Sequence, residues 1–223
     1  MIEVDIHLHT DSACSTLDVE QLAEILRHAG RPIVTATDHG SIAACRRLRE
    51  LLPDCLVVTG MEVRSPEGDF LLFSSDDAYL ESLPDNIDTV RDLRRDEQTA
   101  IIWAHPRVSQ RARGWDAPKL PDVKKVCPNV DGLEVLNGTM LTLFKEGVLR
   151  KDYFRNLVQI AINYSLAMTG GSDAHEEPLA LKAGTLFPQD VHDVASFIQA
   201  IKERRVSPVY DRSFFEINLS LSG

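Results

Sequence analysis

The sequence predicts an α/β fold in one domain spanning residues 1–223, a distorted (β/α)7 TIM-like barrel. Short β-rich runs alternate with stretches of helical period along the whole chain, a pattern that specifies a mostly parallel sheet covered by helices. No Pro/Gly/Ser-rich linker and no internal repeat divides the chain. His, Asp and Glu residues recur at the carboxyl ends of the predicted strands, the face where parallel barrels assemble their chemistry. About seven candidate strands and 223 residues fall short of the eight strands and roughly 250 residues of a complete barrel. An open doubly wound sheet is the alternative, and it would carry its ligand at one switch point instead.

The elements follow in order. Residues 2–9 form a strand, after which Asp18 caps a helix with Gln21 at the capping-box position and Val19, Leu22, Ala23 and Leu26 on one face. Gly30 stops it. Residues 32–38 make the second strand, and Ser41 caps a helix that buries Ile42, Cys45, Leu48 and Leu52. Runs at 55–62 and 69–75 flank Ser65-Pro66-Glu67-Gly68 as a hairpin. A helix is expected within 88–98, a strand over 100–105, and an irregular segment over 106–118 whose length points to function. A strand at 131–137, a helix at 153–163, a strand at 166–169 leading into Gly170-Gly171-Ser172-Asp173, and a helix at 191–205 complete the order.

A chain of this length can bury roughly three quarters of its unfolded surface, so it needs no disulfide or metal staple to hold a core. Its apolar share of 43% and charged share of 26% are those of a globular protein. The longest apolar stretches, such as Cys55-Leu56-Val57-Val58, are far below the ~20 residues of a membrane span. The acidic start Met1-Ile2-Glu3-Val4-Asp5 lacks the features of a signal peptide, so a cytoplasmic location is expected. Cys14, Cys45, Cys55 and Cys127 lie far apart without a C-x-x-C pair, which predicts reduced thiols. With 34 acidic against 24 basic residues the formal charge is −10, and no basic run is present. That balance speaks against binding to extended duplex nucleic acid.

The polar residues carry the function. His7 and His9 end the first strand, Asp38-His39 the second, Glu62 the third; His105 ends the 100–105 strand, and Asp173 and His175 follow the last. In His7-Leu8-His9 the imidazoles lie two residues apart, so on a strand they project from one face. A mixed N/O donor set favours zinc, manganese or iron over calcium. Glu62 can bridge two ions about 3.5–4 Å apart. Singly, an H-x-H can arise by chance and a D-H pair is usually a turn. Five of the seven histidines at strand ends are another matter, and a cluster of two or more metals is the economical reading. His28 and His192, on helices, are expected at the surface.

These segments resemble the polymerase and histidinol phosphatase, or PHP, family of metallophosphoesterases. Asp5-Ile6-His7-Leu8-His9-Thr10, Thr37-Asp38-His39, Ala104-His105-Pro106 and Gly171-Ser172-Asp173-Ala174-His175 are similar to its four motifs. Gly60-Met61-Glu62-Val63, the 131–137 stretch and Gly184-Thr185 match further family segments in family order. The resemblance implies a distorted barrel with two or three divalent metals: His7, His9 and Asp173 on one, Glu62 bridging, and His39, His105 and His175 at the remaining positions. It also implies that Asp38 orients an imidazole by accepting its other N–H, with Asp5 doing the same for the His7/His9 pair. Two departures stand out. Where many members carry Asp or His after the H-x-H, this chain has Cys14, either a thiolate ligand or an inert small residue. Near a further family ligand it offers Glu134 and Asn137, which regular strand alternation places on opposite faces.

The expected activity is hydrolysis of a small phosphate ester, a nucleotide or a short oligonucleotide by a metal-bridging hydroxide, with Glu62, Asp173 and Arg107 as catalytic residues. Arg64, Arg107, Arg111 and Arg113 are candidates for bidentate phosphate contacts, and Trp115 for stacking on a substrate ring. Two alternatives are an amidohydrolase-like metal hydrolase, which would call for a bridging carboxylated lysine, and an inactive PHP scaffold, which would have lost ligands. The bulk charge does not exclude a phosphorylated substrate, because two or three bound divalent ions reverse the local field.

Overall fold

The computed structural model describes residues 1–11, 13–106 and 120–219. Strand β1 (Ile2–Val4) is followed by helix α1 (Val19–His28). Asp18 caps α1 by accepting from the Gln21 amide, while the Gln21 side chain accepts from the Asp18 amide, the reciprocal box that the sequence spells. Leu22, Ala23 and Leu26 face the core, and Gly30 leaves the helix at φ +62. Strand β2 (Ile33–Val34), helix α2 (Ala43–Leu51) and strand β3 (Leu56–Val57) repeat the unit, with β2 and β3 parallel. The cap position of α2 is Ile42 rather than Ser41, although Ser41 Oγ accepts from Ala43 N at 3.2 Å.

Strands β4 (Gly60–Ser65) and β5 (Gly68–Ser74) form the expected hairpin about Pro66-Glu67. It is no side insertion: β5 lies between β4 and β6 (Thr99–Ala104), antiparallel to both. Strands β7 (Gly132–Asn137) and β8 (Ala167–Gly171) extend this sheet in parallel. A short helix α3 (Asp77–Glu81) follows β5. The helix expected within 88–98 reduces to one 3-10 turn, Val90–Asp92. Only Val90 and Leu93 of that stretch are buried, and the Arg94 and Arg95 side chains bond to Asp76 and to the Pro128 carbonyl. Two apolar anchors three residues apart support a turn and give a longer helix no face to bury.

Helices α4 (Leu120–Val126), α5 (Gly138–Lys145) and α6 (Lys151–Tyr164) precede β8. Strand β9 (Ala183–Phe187), helix α7 (Val194–Lys202), strand β10 (Ser207–Tyr210) and helix α8 (Arg212–Phe215) follow it. β9 pairs antiparallel with both β1 and β10, a three-stranded sheet that the sequence reading did not anticipate. The α/β class holds. The strands nevertheless fall into three separately paired sheets, so a closed seven-stranded barrel is not confirmed.

A few backbone bonds outside the strand ladders link those sheets at one end. Thr37 N donates to Leu8 O (2.9 Å), His9 N to Ala174 O (2.9 Å), Asp173 N to His7 O (2.6 Å) and Glu62 N to Asp38 O (3.1 Å). The junction residues are largely the His, Asp and Glu positions singled out from the sequence. Apolar packing backs the sheets, with Phe73 and Phe187 against Phe197 of α7 and with Leu22 of α1 in one cluster with Cys45 and Leu48 of α2. Close approach of β8 to the first strand demands glycine. A Cβ on Gly171 would sit 2.3 Å from His7 Cβ and 2.9 Å from Glu134 Oε1, and one on Gly170 would sit 2.7 Å from Gly184 O.

Gly171→Ala is therefore expected to cost about 1–3 kcal/mol by overpacking. Urea unfolding of the metal-free protein measures this, and a variant as stable as the parent would contradict the packing at this junction.

Candidate metal centre

His7 and His9 extend from β1 with Leu8 between them buried in the α1/α2 core. His39 follows β2 and bridges to Glu62 on β4; His105 follows β6, and Asp173 and His175 follow β8. Two of these residues have left-handed backbones, His105 at φ +24 and Asp173 at φ +54. Non-glycine residues rarely adopt such angles, and they persist where surrounding bonds impose them. Here the His105 amide donates to Glu134 Oε2 at 2.9 Å, and the Asp173 amide to the His7 carbonyl.

The side chains converge. Glu62 Oε2 lies 3.1 Å from His39 Nδ1, 3.3 Å from His9 Nε2 and 3.6 Å from His7 Nε2, whereas Oε1 lies 3.2 Å from His105 Nε2. Asp173 Oδ1 lies 3.4 Å from His7 Nε2, 3.5 Å from His9 Nε2 and 3.7 Å from His175 Nδ1. His7 and His9 are 0% exposed and Glu62 is 2% exposed. Even so, His7 Nε2, both His9 nitrogens, His39 Nδ1 and Glu62 Oε1 have no hydrogen-bond partner. Buried polar atoms are normally satisfied, and a divalent ion among these donors would satisfy them. The residues therefore fit metal. Four overlapping groups offer ligand atoms within 4.8 Å of one another: His7, His9 and Glu62; His7, His105 and Asp173; Glu62, Asp69 and His105; and His9, Cys14, His39 and His175.

Electrostatics agrees. Burial disfavours a charged His7, but Glu134, Asp173 and Glu62 outweigh it and raise its pKa well above 6.5 in the metal-free protein. Burial likewise opposes the charge of Glu62 and Asp173, yet the nearby imidazoles hold both carboxylates low. Burial pushes His39 down to about 4 and also lowers His175, so both present neutral rings. Burial and the Asp11 and Asp38 carboxylates raise the Cys14 thiol.

Three sequence expectations need revision. Glu134, not Asp5, orients the His7 ring: its oxygens lie 3.0 and 3.2 Å from His7 Nδ1. Asp5 binds backbone instead, accepting from the amides of His7, Ser172 and Leu181, and burial raises its pKa to about 6. Asp38 also binds backbone, accepting from the Thr10 and Asp11 amides and the Thr10 hydroxyl. Glu134 and Asn137 do not face apart, since a register shift between Glu134 and Leu136 lets Asn137 Nδ2 donate to Glu134 Oε2 at 3.0 Å. Asp69, 3.9 Å from His105 Nδ1, was not foreseen; its place opposite Ala104 on β5 became visible only with the hairpin register. Arg64 reaches the rim, its Nη2 donating to His39 Nε2 at 2.8 Å. Arg107, Arg111, Arg113 and Trp115 lie outside the described residues. His28 and His192 are exposed, as expected.

Residues 155–206 match a family model described as PHP-associated. The fold is that of the PHP family, as the motifs predict. A two-domain protein from Bacteroides vulgatus, described as containing a "predicted PHP-like metal-dependent phosphoesterase", is 17% identical with a TM-score of 0.68, over 96% of this chain and 69% of that one. PsfC from Pseudomonas syringae superposes with a TM-score of 0.67 at 16% identity over 96% and 93% of the two chains. An amidohydrolase from Chromobacterium violaceum, its structure holding sulfate and no metal, gives 0.57 at 11% identity over 93% and 97%. No curated protein matches the chain. No helix among the described residues is long and apolar enough to cross a membrane.

Two outcomes follow for this cluster. Glu134→Gln should weaken metal binding about 10–100-fold, the usual effect of losing the partner that orients a ligating imidazole, while leaving the protein folded by circular dichroism. Because the raised pKa of His7 makes a proton compete with the ion, metal affinity should rise from about pH 6 to about pH 8 with net proton release. Calorimetric titration in buffers of different ionisation enthalpy measures both, and a pH-independent affinity would contradict the assignment of His7 as a ligand.

Proposed function

We propose that the chain is a metal-dependent phosphoesterase acting on a small phosphate ester, a nucleotide or a short oligonucleotide. The observation that supports this most is the orientation of Glu62, whose two oxygens address different imidazoles, Oε1 facing His105 and Oε2 facing His7, His9 and His39. That is how a carboxylate shared between two ions is placed. Two or three ions of zinc, manganese or iron would lower the pKa of water and draw charge from the phosphoryl oxygens. His7, His9 and Asp173 would hold one ion, Glu62 would span to the ion on His105, and His39 and His175 would hold the outermost.

Arg64 does what an ion cannot, offering a planar pair of donors to an anion. It is exposed at the rim and makes no ion pair with a carboxylate among the described residues. A phosphate entering the mouth would find that guanidinium unpaired with any described carboxylate. Arg107, proposed as catalytic, belongs to the segment that follows His105, and Arg111 and Arg113 lie further along it. Glu62 stands between the imidazoles where the amidohydrolase alternative would call for a bridging carboxylated lysine, which favours the phosphoesterase over that alternative, to which the Chromobacterium likeness also belongs. Retention of all seven proposed ligands, His7, His9, His39, Glu62, His105, Asp173 and His175, favours an enzyme over a scaffold. A cytoplasmic location and the absence of duplex-binding or membrane partners complete the proposal.

Phosphate release, assayed with manganese or zinc against phosphomonoesters and cyclic and dinucleotide esters beside an amide panel, is expected from at least one phosphate ester. Turnover of amides with no phosphate from any ester would refute the reading. Arg64→Ala should lower kcat/KM about 10–100-fold, the loss of a charged hydrogen bond, with metal content unchanged.

A further inference from the structure

Resting on the metal-hydrolase reading, the surroundings of Cys14 carry one step more. Cys14 is the only cysteine in the candidate metal groups of the described residues, where it joins His9, His39 and His175. The turn that presents it is tied to the ligand-bearing segments. The amides of Cys14 and Ser15 both donate to Asp11 O, at 3.0 and 2.8 Å, and the Thr16 amide donates to His175 O at 2.9 Å. Ser15 Oγ lies 3.0 Å from the carbonyls of both His9 and His175. The thiol is therefore held beside those imidazoles by bonds to their own backbones.

A second observation points to a ligand here. His9 is 0% exposed, yet neither ring nitrogen has a hydrogen-bond partner. One nitrogen faces Glu62 and Asp173, and the ring stacks at 4.3 Å on His175 and lies 4.6 Å from His39. The backbone also sets His175 for an ion, since its Nδ1 lies 3.0 Å from the Asp173 carbonyl. A proton held there leaves Nε2 with its lone pair free to coordinate. Whichever group His9 serves, Cys14, His39 and His175 remain, and three protein ligands with an open fourth place are the pattern of a catalytic zinc site.

We propose that Cys14 binds the outermost ion of this centre as a thiolate, together with His39 and His175, and thereby selects zinc over manganese or magnesium at that position. Binding releases the thiol proton to solvent and forms one metal–sulfur bond. Contraction is modest: ligand atoms now within 4.8 Å of one another would close to roughly 3.3–3.7 Å, the edges of a tetrahedron with bonds of zinc–ligand length. Thiolate is soft, so manganese and magnesium gain little from it. The outer ion would differ in kind from the inner ones, which only nitrogen and oxygen surround.

Cobalt(II) titration of the full chain and of Cys14→Ser and Cys14→Ala tests this, with bound metal counted in parallel. The parent should develop a sulfur-to-cobalt charge-transfer band in the near ultraviolet that both variants lack, and the variants should bind one ion fewer. Zinc, but not manganese, should slow alkylation of Cys14 by iodoacetamide at least about tenfold, as mass spectrometry of the labelled peptide reports. If the parent binds ions without the band, and Cys14 is alkylated equally fast with and without zinc, the thiolate assignment is overturned and the metal centre stands. If no ion binds to parent or variants, both fall.

Discussion

The fold turns on the burial of a carboxylate among imidazoles. Glu62 sits almost without solvent beneath His7, His9, His39 and His105. An ionised group in such a place is costly unless charges and hydrogen bonds compensate it. Without metal the compensation is a protonated His7 flanked by Glu62, Asp173 and Glu134, and several ring nitrogens stay unpaired. A cluster of this kind adds little stability by itself, and its geometry is that of a receptacle.

The rest of the structure serves that receptacle. Its residues come from five remote segments, and backbone hydrogen bonds, not a continuous ladder, join the segments there. Glu134 does most to lock them together, receiving bonds from the His7 ring, the His105 amide and the Asn137 amide group. Asn137 in turn accepts from the Met140 amide and starts α5. Glycine at 171 lets β8 approach His7, and the left-handed turns at His105 and Asp173 swing those side chains inward. One carboxylate thus holds two imidazole-bearing segments at once, those of His7 and His105.

Much of this was legible in the sequence, for identifiable reasons. The spacing of His7-Leu8-His9 puts both imidazoles on one side of any extended chain, and the Asp18/Gln21 cap is a local interaction between residues three apart. What escaped depends on partners far away. Strand alternation sets Glu134 and Asn137 apart, and only the irregularity at Glu134/Leu136 brings them together. Asp38 sits beside His39 in sequence yet spends its oxygens on the Thr10–Asp11 backbone, because the chain after His9 folds across it. Antiparallel pairing of β9 with β1 gives the first strand a neighbour that alternating β-α units do not predict.

Crystals of the protein grown with zinc or manganese, measured at the metal's absorption edge, would test the central claim most directly. The account predicts at least two anomalous peaks about 3.5–4 Å apart, with Glu62 contributing one oxygen to each and His105 on the opposite side from His9. A single ion bound without Glu62, or two ions bound away from His7, His9 and Asp173, would contradict it.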